Sequence, residues 1–255
     1  MKNEQKTDEI INRLGNGQPV TPDELHLLAR HDNQDVRDSV ARHPQCPPET
    51  LQLLANDPAW SVVMSVAGNT ACPHDLLADL ARHNEWAVRL QVAGNDTTQP
   101  ELLLTLAGNA EEEGEIDVLC KIMGHPACPE ILFWDAFHSG DAEVMKYAVD
   151  NPICPLAVTL QACDDNDTDL QWAAKKAIAD TKREIWATRV AAGIRLGLPV
   201  RECRSKSTLG DDLLKHGFVQ AYQIIQGLEL EASIKPLLTA DTALATSLVP
   251  TRMRM

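Results

Sequence analysis

The stretch Cys46-Pro-Pro-Glu-Thr-Leu-Gln-Leu-Leu-Ala-Asn-Asp-Pro58 decides the fold, because its opening pair recurs at Cys72-Pro73, Cys128-Pro129 and Cys154-Pro155. The steps between these cysteines are 26, 56 and 26 residues. Reading 56 as 26 plus 30 places another unit at Thr98, with four extra residues inside the acidic run Glu111-Glu112-Glu113-Gly114-Glu115. One step back from Cys46 puts a first unit at Val20, so six units span residues 20–179.

Apolar columns hold this register. Leu25, Leu51, Leu77, Leu103 and Phe133 share one position, and Leu28, Leu54, Leu80, Leu106 and Ala136 follow three residues later, which is one helix face. Val36, Val62, Val88, Val118, Val144 and Leu170 pair four residues on with Val40, Val66, Val92, Ile122, Ala148 and Ala174, which predicts a second helix. Pro47, Pro48 and Pro73 suit a first helical turn, where a missing N–H costs nothing, and Glu49, Asp75 and Glu101 suit its positive end. Asp57-Pro58 reads as the N-cap and first residue of a second helix, and Gly68, Gly94 and Gly124 as left-handed exits. A unit of two short helices cannot bury both faces alone, so neighbours must stack. Tetratricopeptide, ankyrin and HEAT units are too long, and no unit has the alternating Leu-x-Leu strand of a β-lined leucine-rich repeat.

The stretch 46–58 and Val88-Arg-Leu-Gln-Val-Ala-Gly-Asn95 resemble the leucine-rich repeat variant family, bacterial solenoids of alternating α and 3₁₀ helices without β-sheet. The expected fold is all-α: a right-handed α/α (α/3₁₀) superhelical repeat solenoid with a C-terminal helical cap. A member of that family carries a separate Cys-rich iron–sulfur module. No close cysteine cluster precedes the repeats here, so no cofactor is expected.

The domain reading is an N-terminal cap at 1–19, six repeats at 20–181, a basic helical cap at 182–240 and a disordered tail at 241–255. Residues 1–181 hold 12 basic and 30 acidic residues, whereas 182–255 hold 11 and 7. The formal charge of −14 opposes phosphate backbones and speaks against nucleic acid as a partner. A polar N-terminus and the lack of a long apolar run predict a cytoplasmic protein with no membrane contact. Seven cysteines, an odd count, are then expected to be reduced. The acidic insertion is expected to loop out into solvent.

No zinc-binding His-Glu-x-x-His helix, P-loop, dinucleotide fingerprint or nucleophile elbow occurs, so neither catalytic nor metal-ligating residues are assigned. Equivalent cysteines in stacked units lie roughly 8–10 Å apart, too far for a shared metal or a disulfide. They are read as buried filler. His43 and His125 share a column with Asn69, Asn95 and Asn151, and His31 and His83 one with Asp57, which marks turn positions.

Trp60 and Trp86 stand 26 residues apart, at the same place in adjacent units, and Arg89 lies one helical turn beyond Trp86. Arg37 matches Arg89, and Arg30 matches Arg82, each two units apart. Rigid aromatics with Arg are what a protein or peptide binding surface is made of; the competing reading is that the indoles fill a groove between second helices. The function expected is a non-enzymatic interaction scaffold. The alternative is a helical-repeat DNA-binding protein or DNA glycosylase-like enzyme using these Trp and Arg residues. A third reading is a thiol or metal sensor built on Cys120, Cys163 or Cys203. Oligomeric state and the identity of the partner are left open.

Overall fold

A computed structural model describes residues 2–199 and 207–247 of the chain, with every element helical among them. It divides into two compact bodies, residues 1–153 and 154–255.

The first body opens with α1 (Lys2–Gly15) and then repeats a helix pair five times. The pairs are α2 (Pro22–Leu28) with α3 (Gln34–Ala41), α4 (Pro48–Leu54) with α5 (Trp60–Gly68), α6 (His74–Leu80) with α7 (Trp86–Ala93), α8 (Pro100–Glu113) with α9 (Ile116–Met123), and α10 (Glu130–Ser139) with α11 (Ala142–Asp150). Each first helix begins two residues after the Cys-column position and each second helix at the Trp column, so the 26-residue register and the site of its insertion hold. Both helices of each pair are α-helical. The predicted core columns are buried, Leu25, Leu51, Leu77, Leu103 and Phe133 completely so. The second helices pack in series, α3 on α5, α5 on α7, α7 on α9 and α9 on α11, and α1 covers the free side of α3. This is a helical-repeat solenoid of five units.

Side-chain hydrogen bonds tie one unit to the next. Asn69 Nδ2 donates to the carbonyls of Ala41 (2.7 Å) and His43 (3.0 Å), Asn95 Nδ2 to those of Ala67 and Asn69, and Asn151 Nδ2 to those of Met123 and His125. Each amide oxygen accepts the backbone N–H two residues on. His125 does the same with its ring, Nε2 bonding to the Asn95 carbonyl while Nδ1 accepts from Ala127 N–H. The expected turn-closing column is therefore also a buried ladder between units.

Three local expectations are corrected. Asp57 is no N-cap: α5 starts at Trp60, and Asp57 closes the preceding turn by accepting from Ala59 N–H at 2.9 Å. The exits at Gly94 and Gly124 are not left-handed, with φ of −94° and −78°. A Cβ on Gly94 would come 2.4 Å from Lys121 Cε and one on Gly68 3.1 Å from Gln91 Oε1, both movable side-chain ends of the next unit, whereas Gly124 has no such close neighbour. Finally, the acidic insertion does not loop out. It extends α8 to 14 residues, because Ala107 and Ala110 continue the buried stripe, and the helix stops only at Gly114, whose φ of 72° terminates it in the left-handed region.

The second body holds the sixth unit, α12 (Leu156–Ala162) with α13 (Thr168–Ala179), followed by α14 (Arg183–Ala191), α15 (Leu209–Lys215) and α16 (Val219–Ser247). α16 packs on α13, α14 and α15, and Trp186 of α14 is fully buried. Arg189 stacks 5.1 Å from that indole. Lys215 pairs with Asp164 at 2.7 Å. α16 runs into the stretch expected to be disordered, whose last residues, 248–255, lie outside the described ones along with Cys203.

Candidate functional site

The two tryptophans are the first residues of α5 and α7, and both indoles are half-exposed, at 49% and 47%. The same position in the next unit is Ile116, the first residue of α9, itself 42% exposed. Ile116 escapes a simple 26-residue step because the insertion displaces it by four. Adding those four residues to the step from Trp86 finds it. At the start of the row, Gln34 Nε2 of α3 donates to Ser61 Oγ of α5 at 2.7 Å, which brings the starts of these two helices together. Three large apolar side chains thus occupy equivalent, half-exposed positions at the starts of consecutive packed helices, an exposure that a surface row and partial packing in the groove between second helices share.

The matched arginines have a different task from the one expected. Arg89 is 6% exposed. Its guanidinium donates to the backbone carbonyls of its own unit at His83 and, at 3.1 Å, Asn84. It also grips the next unit through Glu115, with Nε at 3.1 Å, and through Glu113 at 2.7 Å. Arg37 repeats this clasp one pair of units earlier. It donates to the carbonyls of His31 (2.8 Å) and Asp32 (3.0 Å) and takes Asp57 bidentately at 2.6 and 3.0 Å. Burial pushes the Asp57 carboxyl up, but the Arg37 hydrogen bonds and the Ala59 N–H outweigh it and hold the group below its ordinary value. Each arginine is neutralised by the unit it holds. Both are removed from the candidate binding set as free cations, because the next repeat supplies their counter-charge. Arg30 and Arg82 are exposed: Arg30 Nη1 meets His26 Nε2 at 3.0 Å, and Arg82, two residues past the end of α6, donates back to the Ala78 carbonyl of that helix.

Two cavities that share Asp117 lie near the apolar row, and the smaller one is lined by two of its residues. One, of about 260 Å³, is lined by Trp86, Ile116, Gly114, Glu115, Asp117 and Glu143. The other, of about 600 Å³, lies over α7, α9 and α11, with Leu90, Ala93, Asp96, Lys121 and Tyr147 in its wall. Asp117 borders both. Sequence reading missed Asp117, Glu143 and Tyr147, because a single acidic or aromatic residue on a helix surface carries no signal until neighbouring helices bring several together.

The cysteine column is buried as expected, with Cys46, Cys72, Cys128 and Cys154 at most 5% exposed. Burial raises the thiols of Cys46 and Cys72 to about 12 and those of Cys120, Cys154 and Cys163 to about 11. Such thiols stay protonated, which makes poor nucleophiles. Among the described residues no group of three or more His, Cys, Asp or Glu side chains is gathered that could hold a metal ion. Native protein at about pH 8 is expected to show at most one thiol reactive toward Ellman's reagent, the allowance being Cys203, and all seven in denaturant. Two or more reactive native thiols would contradict this burial.

Residues 35–59 match the family profile described as leucine rich repeat variant, within the first two units of the stack. A solved structure described as a leucine-rich repeat variant with a novel repetitive protein structural motif is 20% identical, covering 74% of this chain and 82% of its own, with a TM-score of 0.47. Comparison with curated proteins returns no match. Among the described residues, no helix is long and apolar enough to cross a membrane.

Proposed function

We propose that this stack of leucine-rich repeat variant units is a non-enzymatic scaffold that binds a protein or peptide along the edge formed by Trp60, Trp86 and Ile116. The observation that carries this reading is the in-register exposure of those three side chains. An isolated apolar residue on a surface is ordinary, but an in-register row on packed helices is a feature of contact surfaces. The helices beneath are fixed by packing and by the inter-unit ladder, so a partner meets a preorganised surface and loses less entropy on binding. DNA binding gains nothing from the geometry: two of the four candidate arginines are already paired with carboxylates.

A buried hot-spot Trp contributes about 2 kcal/mol or more at an interface, so Trp86→Ala is expected to weaken partner binding roughly thirtyfold. Because the indoles are half outside the fold already, far-UV circular dichroism of the Trp60→Ala/Trp86→Ala variant should match the parent. Partners recovered with the intact chain supply the assay. Unchanged affinity per folded molecule in the double variant would move the site elsewhere.

A further inference from the structure

We propose that the occupant of this edge is a cationic peptide segment, one in which Lys or Arg alternates with apolar residues. The inference rests on the scaffold reading above and specifies the chemistry of its partner. The apolar edge is not bordered by a neutral rim. Beyond Trp86 and Ile116, the two cavities bring together Glu115, Asp117, Glu143 and Asp96, against Lys121 as the only Lys or Arg lining them. Glu115 is committed to Arg89. Asp96, Asp117 and Glu143 form no ion pair among the described residues, and Asp117 and Glu143 are exposed where they line the cavity beside Trp86.

This arrangement selects against anionic and in favour of cationic ligands on two grounds. A Lys or Arg side chain entering the 260 Å³ cavity meets two uncommitted carboxylates and lies beside an indole, whose face attracts cations. Its aliphatic stem covers Ile116 while the charged head reaches Asp117 or Glu143. An apolar neighbour on the same peptide can follow the wall of the larger cavity past Leu90 toward Tyr147, which is half-exposed. An acidic segment would instead place its charges against carboxylates with no cation but Lys121 to answer them.

The test uses the full-length protein and three fluorescently labelled synthetic peptides of one length built from Leu, Gly and Ser, carrying Lys, Gln or Glu at the remaining positions. Anisotropy titrations are run at low and moderate salt. Saturable binding is expected for the Lys peptide, weakened by salt, and none for the Glu peptide. Asp117→Asn/Glu143→Gln and Trp86→Ala should each weaken the Lys peptide roughly tenfold or more. The Asp8→Asn/Glu9→Gln variant, which removes equal charge from the exposed face of α1, should leave it unchanged. Four outcomes overturn the proposal. If the Gln peptide binds as tightly as the Lys peptide and Trp86→Ala weakens both, the partner is not cationic, and the scaffold reading stands alone. If the Lys peptide binds but neither Trp86→Ala nor Asp117→Asn/Glu143→Gln affects it, binding follows overall acidity and both readings fail. If the carboxylate variant loses thermal stability and no affinity, Asp117 and Glu143 serve only the starts of α9 and α11. If the Lys peptide shows no saturable binding, the cationic occupant is excluded.

Discussion

Asn95→Ala is expected to lower the stability of the first body by about 4 kcal/mol, from the cost of leaving several buried polar groups unpaired. Asn95 is 2% exposed. Its amide nitrogen donates to two carbonyls of the preceding unit, at 2.8 and 3.0 Å, and its oxygen accepts from Thr97 N–H and Oγ1. Truncation strands the two buried carbonyls and also removes the acceptor of the partly buried Thr97 N–H and hydroxyl. In a chain of this size the loss corresponds to roughly 10 °C in Tm. Asn95→His is the informative control. His125 occupies the same column and satisfies one carbonyl and one N–H, so the substitution should cost markedly less than Ala. Urea denaturation followed by circular dichroism reads both. Equal losses for Ala and His, or a loss below about 1 kcal/mol for Ala, would show that the column is not what couples the units.

Replacing Arg89 with Met should be nearly as damaging, at about 3 to 5 kcal/mol, the usual result of removing one partner of a buried ion pair. The Glu115 side chain is only 12% exposed and would lose the guanidinium that answers it, while the His83 and Asn84 carbonyls lose their donors. The double variant Arg89→Met/Glu115→Gln is expected to recover part of the loss, since no charge is then left stranded. Costs that simply add would show that the two groups do not interact. The Arg37 clasp offers a matching acid test. The Asp57 carboxyl is held below its ordinary 3.8 in the folded chain, so its contribution is complete above that value. It is lost as the pH falls through the lower folded value. Arg37→Met should therefore flatten this part of the acid-side decline in stability, and an unchanged slope would contradict it.

These residues show where sequence reading succeeds and where it stops. The 26-residue recurrence of Cys-Pro, the Leu and Val columns and the Asn/His column were all legible, because each reports a demand that every unit makes on the same position. Repetition turns one weak pattern into several concordant ones. Trp60 and Trp86 were singled out for that reason, and both are half-exposed. Arg37 and Arg89 looked equally repetitive. Their charges face Asp57 and Glu113 with Glu115, which lie 20 to 26 residues away and belong to the next unit. Periodicity identifies a column without saying which column of the neighbour it touches.

The sequence by itself determined the unit, its two helices, their boundaries to within a few residues and the buried face, since hydrophobic period and helix punctuation are local properties of the chain. Only the tertiary structure decided that the acidic insertion would lengthen α8, because Ala107 and Ala110 find a buried surface there. It alone decided that two arginines would become internal clasps, and that Trp86, Ile116, Asp117 and Glu143, from three different units, would border one cavity. Those outcomes depend on distances between residues that packing brings together, and a linear pattern carries no such distances.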